Sequence, residues 1–181
     1  MSKIGRKPID LGNVSVEIKN NLINYKGPKS SGTYQLPTDI KAEVHDNKLS
    51  LKPASEQKPS RDFNRVWGLQ RALLSNTLHG AGAGFTKEVI ITGLGYKGVL
   101  AGNKITFSLG YSHKIDFELP KEVTLQIDKT GQKLLFSSFD KQKLGQVCSL
   151  VKALRKTEPY KQTGIRLLTD VVIKKAGKTK A

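Results

Sequence analysis

The sequence predicts an α+β fold: two tandem, structurally related domains, each an antiparallel β-sheet packed against one main α-helix. Three observations predict it. A motif is stated twice, about 80 residues apart. Apolar residues alternate with polar ones after each statement of the motif, and one stretch of helical periodicity closes each copy.

In the first copy Leu36-Pro37-Thr38-Asp39-Ile40-Lys41-Ala42-Glu43-Val44 leads to Lys48-Leu49-Ser50-Leu51. In the second, Leu119-Pro120-Lys121-Glu122-Val123-Thr124-Leu125-Gln126-Ile127 leads to Lys133-Leu134-Leu135-Phe136. Side chains alternate across a strand, so each copy reads as a half-buried strand, a polar turn and a second strand. A short hairpin precedes the motif in each copy, over residues 14–26 and residues 88–108. After the first strand pair, Ser60 caps a helix whose Phe63, Val66, Trp67, Leu73, Leu74 and Leu78 recur at spacings of three and four, and Gly80, Gly82 and Gly84 stop it. After the second, Asp140 caps a helix with Leu144, Val147, Cys148, Val151 and Leu154 on one face, and residues 157–164, with Pro159 inside, end it. The glycines around residue 82 free the backbone to turn, so the domains are residues 1–82 and residues 83–181.

A chain of 181 residues can bury a core without disulfides or a metal. With glycine counted and tyrosine left out, its apolar share is about 44%, close to the usual globular value, which argues against wholesale disorder. Lys and Arg number 31 against 15 Asp and Glu, a formal charge of +16. A positive field of that size selects polyanions, nucleic acid first and an anionic membrane surface second. No apolar run reaches the length of a membrane span, and none follows the basic residues Lys3, Arg6 and Lys7, so neither insertion nor export by a signal peptide is expected. Cys148 is alone and cannot form an internal disulfide, which suits a reducing compartment, the cytosol or an organellar matrix.

The motifs of small-molecule chemistry fail on context. Gly93-Leu94-Gly95-Tyr96-Lys97-Gly98 fits the dinucleotide fingerprint and follows a strand, but what comes next alternates like a second strand instead of opening a phosphate-binding helix. No complete Walker motif, Gly-x-x-x-x-Gly-Lys-Ser/Thr, exists. His45, His79 and His113 lie far apart, so no metal ligand set is expected. Cys148 falls in the apolar stripe of a helix, where cysteine serves as a small hydrophobe. No catalytic residue, cofactor or small-molecule substrate is expected; a basic RNA-processing enzyme is kept as the alternative reading.

Charge is distributed unevenly. Residues 1–82 carry 13 basic and 7 acidic residues, a net +6, and residues 83–181 carry 18 and 8, a net +10. The last thirty hold Lys152, Arg155, Lys156, Lys161, Arg166, Lys174, Lys175, Lys178 and Lys180 against Glu158 and Asp170, a net +7. Such a run is either a solvated face or a strip that meets phosphates. Pro159-Tyr160-Lys161-Gln162-Thr163-Gly164-Ile165-Arg166 favours the second, because proline and glycine can fix a loop that offers one ring and two cations together. Tyr160 then either stacks on a base or packs over its own sheet.

In order along the chain, Ser2-Lys3-Ile4-Gly5-Arg6-Lys7-Pro8-Ile9, Gly27-Pro28-Lys29, Arg71-Ala72-Leu73-Leu74 with Asn76, Gly93-Leu94-Gly95-Tyr96-Lys97, Leu109-Gly110-Tyr111-Ser112-His113 and Glu158-Pro159-Tyr160-Lys161 with Gly164-Ile165-Arg166 resemble the large-subunit ribosomal protein six family of the bacterial and organellar type. The resemblance covers essentially the whole chain. It implies a structural, non-catalytic protein of two related domains. Its partners would be large-subunit ribosomal RNA of the 23S type and neighbouring ribosomal proteins, with no membrane. Its place would be the ribosome of the cytoplasm or of an organellar matrix. In the family the second domain lies against the RNA bearing the sarcin-ricin loop, near the stalk base where translation factors dock. Carried over by position, the implied RNA-facing residues are Tyr96, Lys97, Ser112, His113, Tyr160, Lys161, Arg166, Lys174, Lys175 and Lys178. Lys152, Arg155 and Lys156 are added from charge. The chain departs from the family pattern at Gln162-Thr163, where Gly-Lys is common, at Lys114, where proline usually follows Ser-His, and in a slightly longer segment after Lys29.

Overall fold

The computed structural model describes residues 2–54 and 60–178. The chain divides into two compact units, one running to Gly84 and taking in Phe139–Lys141, the other made of Phe85–Ser138 and the residues from Gln142 onward.

The first unit contains β1 (Ile9–Asp10), β2 (Ser15–Lys19), β3 (Leu22–Lys26), β4 (Ser31–Gln35), β5 (Ile40–His45), β6 (Lys48–Pro53) and α1 (Arg61–Gly82). The strands form two antiparallel sheets, β1-β6-β5 and β2-β3-β4. The β5–β6 hairpin turns on Asp46 and Asn47, both left-handed at φ 47° and 60°, the geometry that short polar residues tolerate in a two-residue turn. Ser60 caps α1, its hydroxyl accepting the Phe63 N–H at 3.1 Å. Trp67, Leu74, Leu78 and Ala81 on α1 are buried against Ile23, Ile40, Leu49 and Leu51. The Trp67 indole donates to the Leu51 carbonyl at 3.1 Å, and Gly5 lies so close that a Cβ there would stand 2.6 Å from the indole ring.

The second unit repeats the order with β7 (Phe85–Thr92), β8 (Lys97–Ala101), β9 (Lys104–Ser108), β10 (Ile115–Glu118), β11 (Val123–Ile127), β12 (Lys133–Ser138) and α2 (Lys141–Leu154), then adds β13 (Gly164–Leu167). Its sheets are β10-β9-β8 and β11-β12-β7-β13. The core joins Val89, Ile91, Leu134, Phe136 and Ile165 from the larger sheet to Leu144, Val147, Cys148 and Val151 from α2.

The α+β class of two related domains holds, each copy dividing its strands between two antiparallel sheets with β4 and β10 as third strands beside the hairpins. Finer sequence expectations are corrected. Residues 88–108 are not a single hairpin: the hairpin is β8–β9, while β7 turns away to pair with β12 and β13. On α1, Val66 and Leu73 are 41% and 42% exposed, because each lies one residue, about 100° of helix, from the buried positions Trp67 and Leu74. Gly80 does not stop α1 but lies buried inside it, whereas Gly82 is its last residue, where a Cβ would meet Val14 Cγ2 at 3.3 Å. The helix ends there, with the Ala83 and Gly84 N–H groups both donating to the His79 carbonyl and Gly84 left-handed at φ 76°.

Candidate nucleic-acid interface

The cations of the second unit gather where α2 ends, where β13 returns, and along the tail. Ile165 is fully buried and opposite Ile91, which makes β13 the edge of the larger sheet and draws the preceding residues back over α2. The Ile165 N–H donates to the Arg155 carbonyl at 2.9 Å, Glu158 N–H to the Thr163 carbonyl at 2.9 Å, and Gln162 N–H to the Glu158 carbonyl at 2.9 Å. These bonds fix a tight loop with Tyr160, 51% exposed, and Lys161, also exposed, at its tip. Tyr160 therefore does not lie buried over its own sheet. Gln162, standing where the family pattern often carries glycine, is left-handed at φ 58°.

Arg166, expected on that loop, instead stands on β13 opposite Ile90. It is half-buried, and its Nε is buried without a hydrogen-bond partner among the described residues. The tail is tied back by the Lys175 N–H, which donates to the Pro159 carbonyl at 3.1 Å. Between α2, β13 and this tail runs a groove of about 770 Å³ whose walls include Lys152, Lys156, Arg166, Lys175 and Asp170. Four of the expected residues thus share one groove. Lys152 is already engaged, its ammonium 2.7 Å from the Asp170 carboxylate. That contact, reinforced by the Leu167 N–H, holds the Asp170 carboxyl below the ordinary aspartate range. Lys174 and Lys178 are exposed farther along the tail, and Lys180 lies outside the described residues.

The remaining expected residues lie elsewhere in the unit. Lys97 opens β8 and is exposed, as are Ser112 and His113. Tyr96 is half-buried and packs on the core; Cβ atoms on Gly93 and Gly110 would both come within 2.7 Å of its side chain, so these glycines make room for the ring. Arg155, added from charge alone, is bound to aromatic groups: its guanidinium carbon lies 4.7 Å from the centroid of the Tyr111 ring. Contact with Tyr111 and then Tyr96 holds that guanidinium more firmly in its charged form. Tyr111, which counting charges passes over, stands in the sequence within the Leu109–His113 motif of the family resemblance.

No group of three or more His, Cys, Asp or Glu able to hold a metal occurs among the described residues. No described helix is long and apolar enough to cross a membrane. Cys148 is buried, and burial pushes its thiol above the usual range.

The family model described as Ribosomal protein L6 matches this chain twice, over residues 12–82 and again over residues 86–167. Among similar curated proteins, the large ribosomal subunit protein uL6 of Mycoplasma capricolum is 41% identical over 181 residues, covering 98% of both chains. Those of Zymomonas mobilis and Sphingopyxis alaskensis are 36% and 37% identical, each covering 99% of this chain and 100% of the relative.

Proposed function

The chain belongs to the ribosomal protein L6 family, and we propose on that premise that it is a structural constituent of the large ribosomal subunit that binds 23S-type ribosomal RNA chiefly through its second unit. It is not an enzyme, and it works by contact with ribosomal RNA and with other ribosomal proteins of the large subunit in the cytoplasm. Within that setting, the RNA it meets carries the sarcin-ricin region near the stalk base, and the protein supports the surface where translation factors dock.

One observation carries the assignment of the second unit as the RNA-binding half: the grouping of Lys152, Lys156, Arg166 and Lys175 on one groove, beside the fixed loop that presents Tyr160 and Lys161. Phosphates are neutralised best by cations that are held in place before binding, because less side-chain freedom is lost on contact. Half-buried Arg166, set on a strand, is such a cation. Tyr96 contributes by shaping the Gly93 to Gly110 surface, while Lys97, Ser112, His113, Lys174 and Lys178 supply solvent-facing contacts around it.

Cosedimentation tests the reading. A tagged full-length chain should travel with assembled large subunits through a sucrose gradient and remain on the particle at moderate salt. Recovery of the chain only in the free protein fraction would overturn it.

A further inference from the structure

The loop after β9 builds an aromatic arrangement that net charge does not account for. Gly110, left-handed at φ 76°, turns the chain past Leu109 and brings out Tyr111, whose side chain remains 42% exposed. The Tyr111 hydroxyl donates to the carbonyl of Leu154, the last residue of α2, at 3.1 Å. The Arg155 guanidinium lies against the ring at 4.7 Å, and the His113 imidazole is stacked beside it, centroids 6.0 Å apart and planes 23° from parallel. Three flat groups are thus assembled at one surface, with the central ring fixed by a hydrogen bond and a cation.

We propose that Tyr111 is a stacking platform for an unpaired nucleobase, with Arg155 as its positioning residue and His113 extending the flat surface. This rests on the RNA-binding reading above and adds to it the class of RNA recognised: a bulged or looped-out nucleotide, since a base inside a duplex has both faces covered by its neighbours. The Tyr111 hydroxyl is already bonded within the protein, so its ring contributes a face and not a hydrogen bond. Every base has a π-face, so the contact selects for an unstacked base more than for its identity. Arg155 is then spent on holding the ring, not on meeting a phosphate.

The test uses the full chain with Tyr111→Phe and Tyr111→Leu, measuring retention of intact large-subunit ribosomal RNA at several salt concentrations. A second probe is an RNA hairpin with 2-aminopurine unpaired in its loop, compared with a fully paired duplex of the same composition. Tyr111→Phe, which also loses the bond to Leu154, should bind within about twofold of wild type. Tyr111→Leu should bind about tenfold more weakly, in line with the loss of one base–aromatic stack. The slope of log affinity against log salt should stay the same in both variants, because no phosphate contact has been removed. Wild type and Tyr111→Phe should quench the looped 2-aminopurine, and Tyr111→Leu should not. Equal binding by Tyr111→Leu and wild type, or a loss that comes with a shallower salt slope, would overturn the platform while leaving RNA binding intact. Failure of the wild-type chain to retain the RNA at any salt would overturn the underlying reading and the platform with it. If Tyr111→Leu does not fold, Tyr111→Trp takes its place: wild-type affinity supports the platform, and a tenfold loss refutes it.

Discussion

Replacing Lys161 by glutamine isolates one of the proposed phosphate contacts. Lys161 is exposed at the tip of the 155–166 loop, and none of the ion pairs among the described residues involves it, so neutralising it breaks no bond within the protein. Each phosphate neutralised on a duplex releases counterions and contributes about −0.9 to the slope of log affinity against log salt. Wild type should therefore exceed Lys161→Gln by about 15-fold at 0.05 M salt and by about 4-fold at 0.2 M, with the slope shallower by about one. Filter retention of large-subunit ribosomal RNA across that range reads both quantities, and circular dichroism should give matching thermal midpoints. Lys152→Gln is the internal comparison: its ammonium must first leave Asp170 at 2.7 Å, so its effect on affinity should be smaller. A Lys161→Gln ratio near one at low salt, or a ratio that does not change with salt, would refute the phosphate contact. Arg166 is a poorer probe, because charge reversal there would set a carboxylate at a half-buried position on β13.

Other expectations concern the frame that holds these groups. At Gly164, φ is 130° and an added Cβ would stand 2.7 Å from the Lys156 carbonyl oxygen, so Gly164→Ala should cost the second unit at least about 2 kcal/mol in denaturant titration; a neutral result would show that the loop relaxes freely. Gln162→Gly, two residues earlier, should instead raise stability by up to about 1 kcal/mol by relieving a left-handed side chain, and a loss would count against strain there. The depressed Asp170 carboxyl stabilises the folded state above the ordinary aspartate range, and that contribution is lost as pH falls through the folded-state value. The unfolding free energy of Asp170→Asn should therefore depend less on acid than that of wild type, by less than about 1 kcal/mol after solvent screening; parallel acid profiles would contradict the pairing. Cys148 should resist thiol reagents in the native state and react fully in denaturant, and stoichiometric labelling of folded protein would be inconsistent with its burial.

The repeat was legible because period-two alternation survives in a single sequence. Ile40, Leu49, Leu51, Val123, Leu134 and Phe136 are all buried, at positions given by alternation alone. Helix faces were less legible: spacings of three and four admit Val66 and Leu73 as readily as Trp67 and Leu74, and only packing decides which are covered. The pairing of β7 with β13 leaves no local signal, since each strand's partner is far away in sequence, and so the sequence alone reads Arg166 as part of a loop. Basic residues could be counted but not sorted. Geometry separates Lys152, bound to Asp170, and Arg155, held on Tyr111, from the unpaired Lys161.

The eight residues of β7 stand where the first copy has only the two residues of β1, and their second edge is covered by β13, with Ile165 opposite Ile91. This ordering matters during synthesis. Translation proceeds at about 5–20 residues per second, so the 71 residues between these strands take about 4–14 s to follow β7 out of the ribosome. Throughout that interval the nascent second unit presents an open strand edge rich in Val89, Ile90 and Ile91, a template for pairing with other chains. The first unit's strands and α1 have all been made by residue 82. A chain terminated before residue 164 would keep the edge open permanently, so truncation at this end threatens solubility as well as contact with RNA.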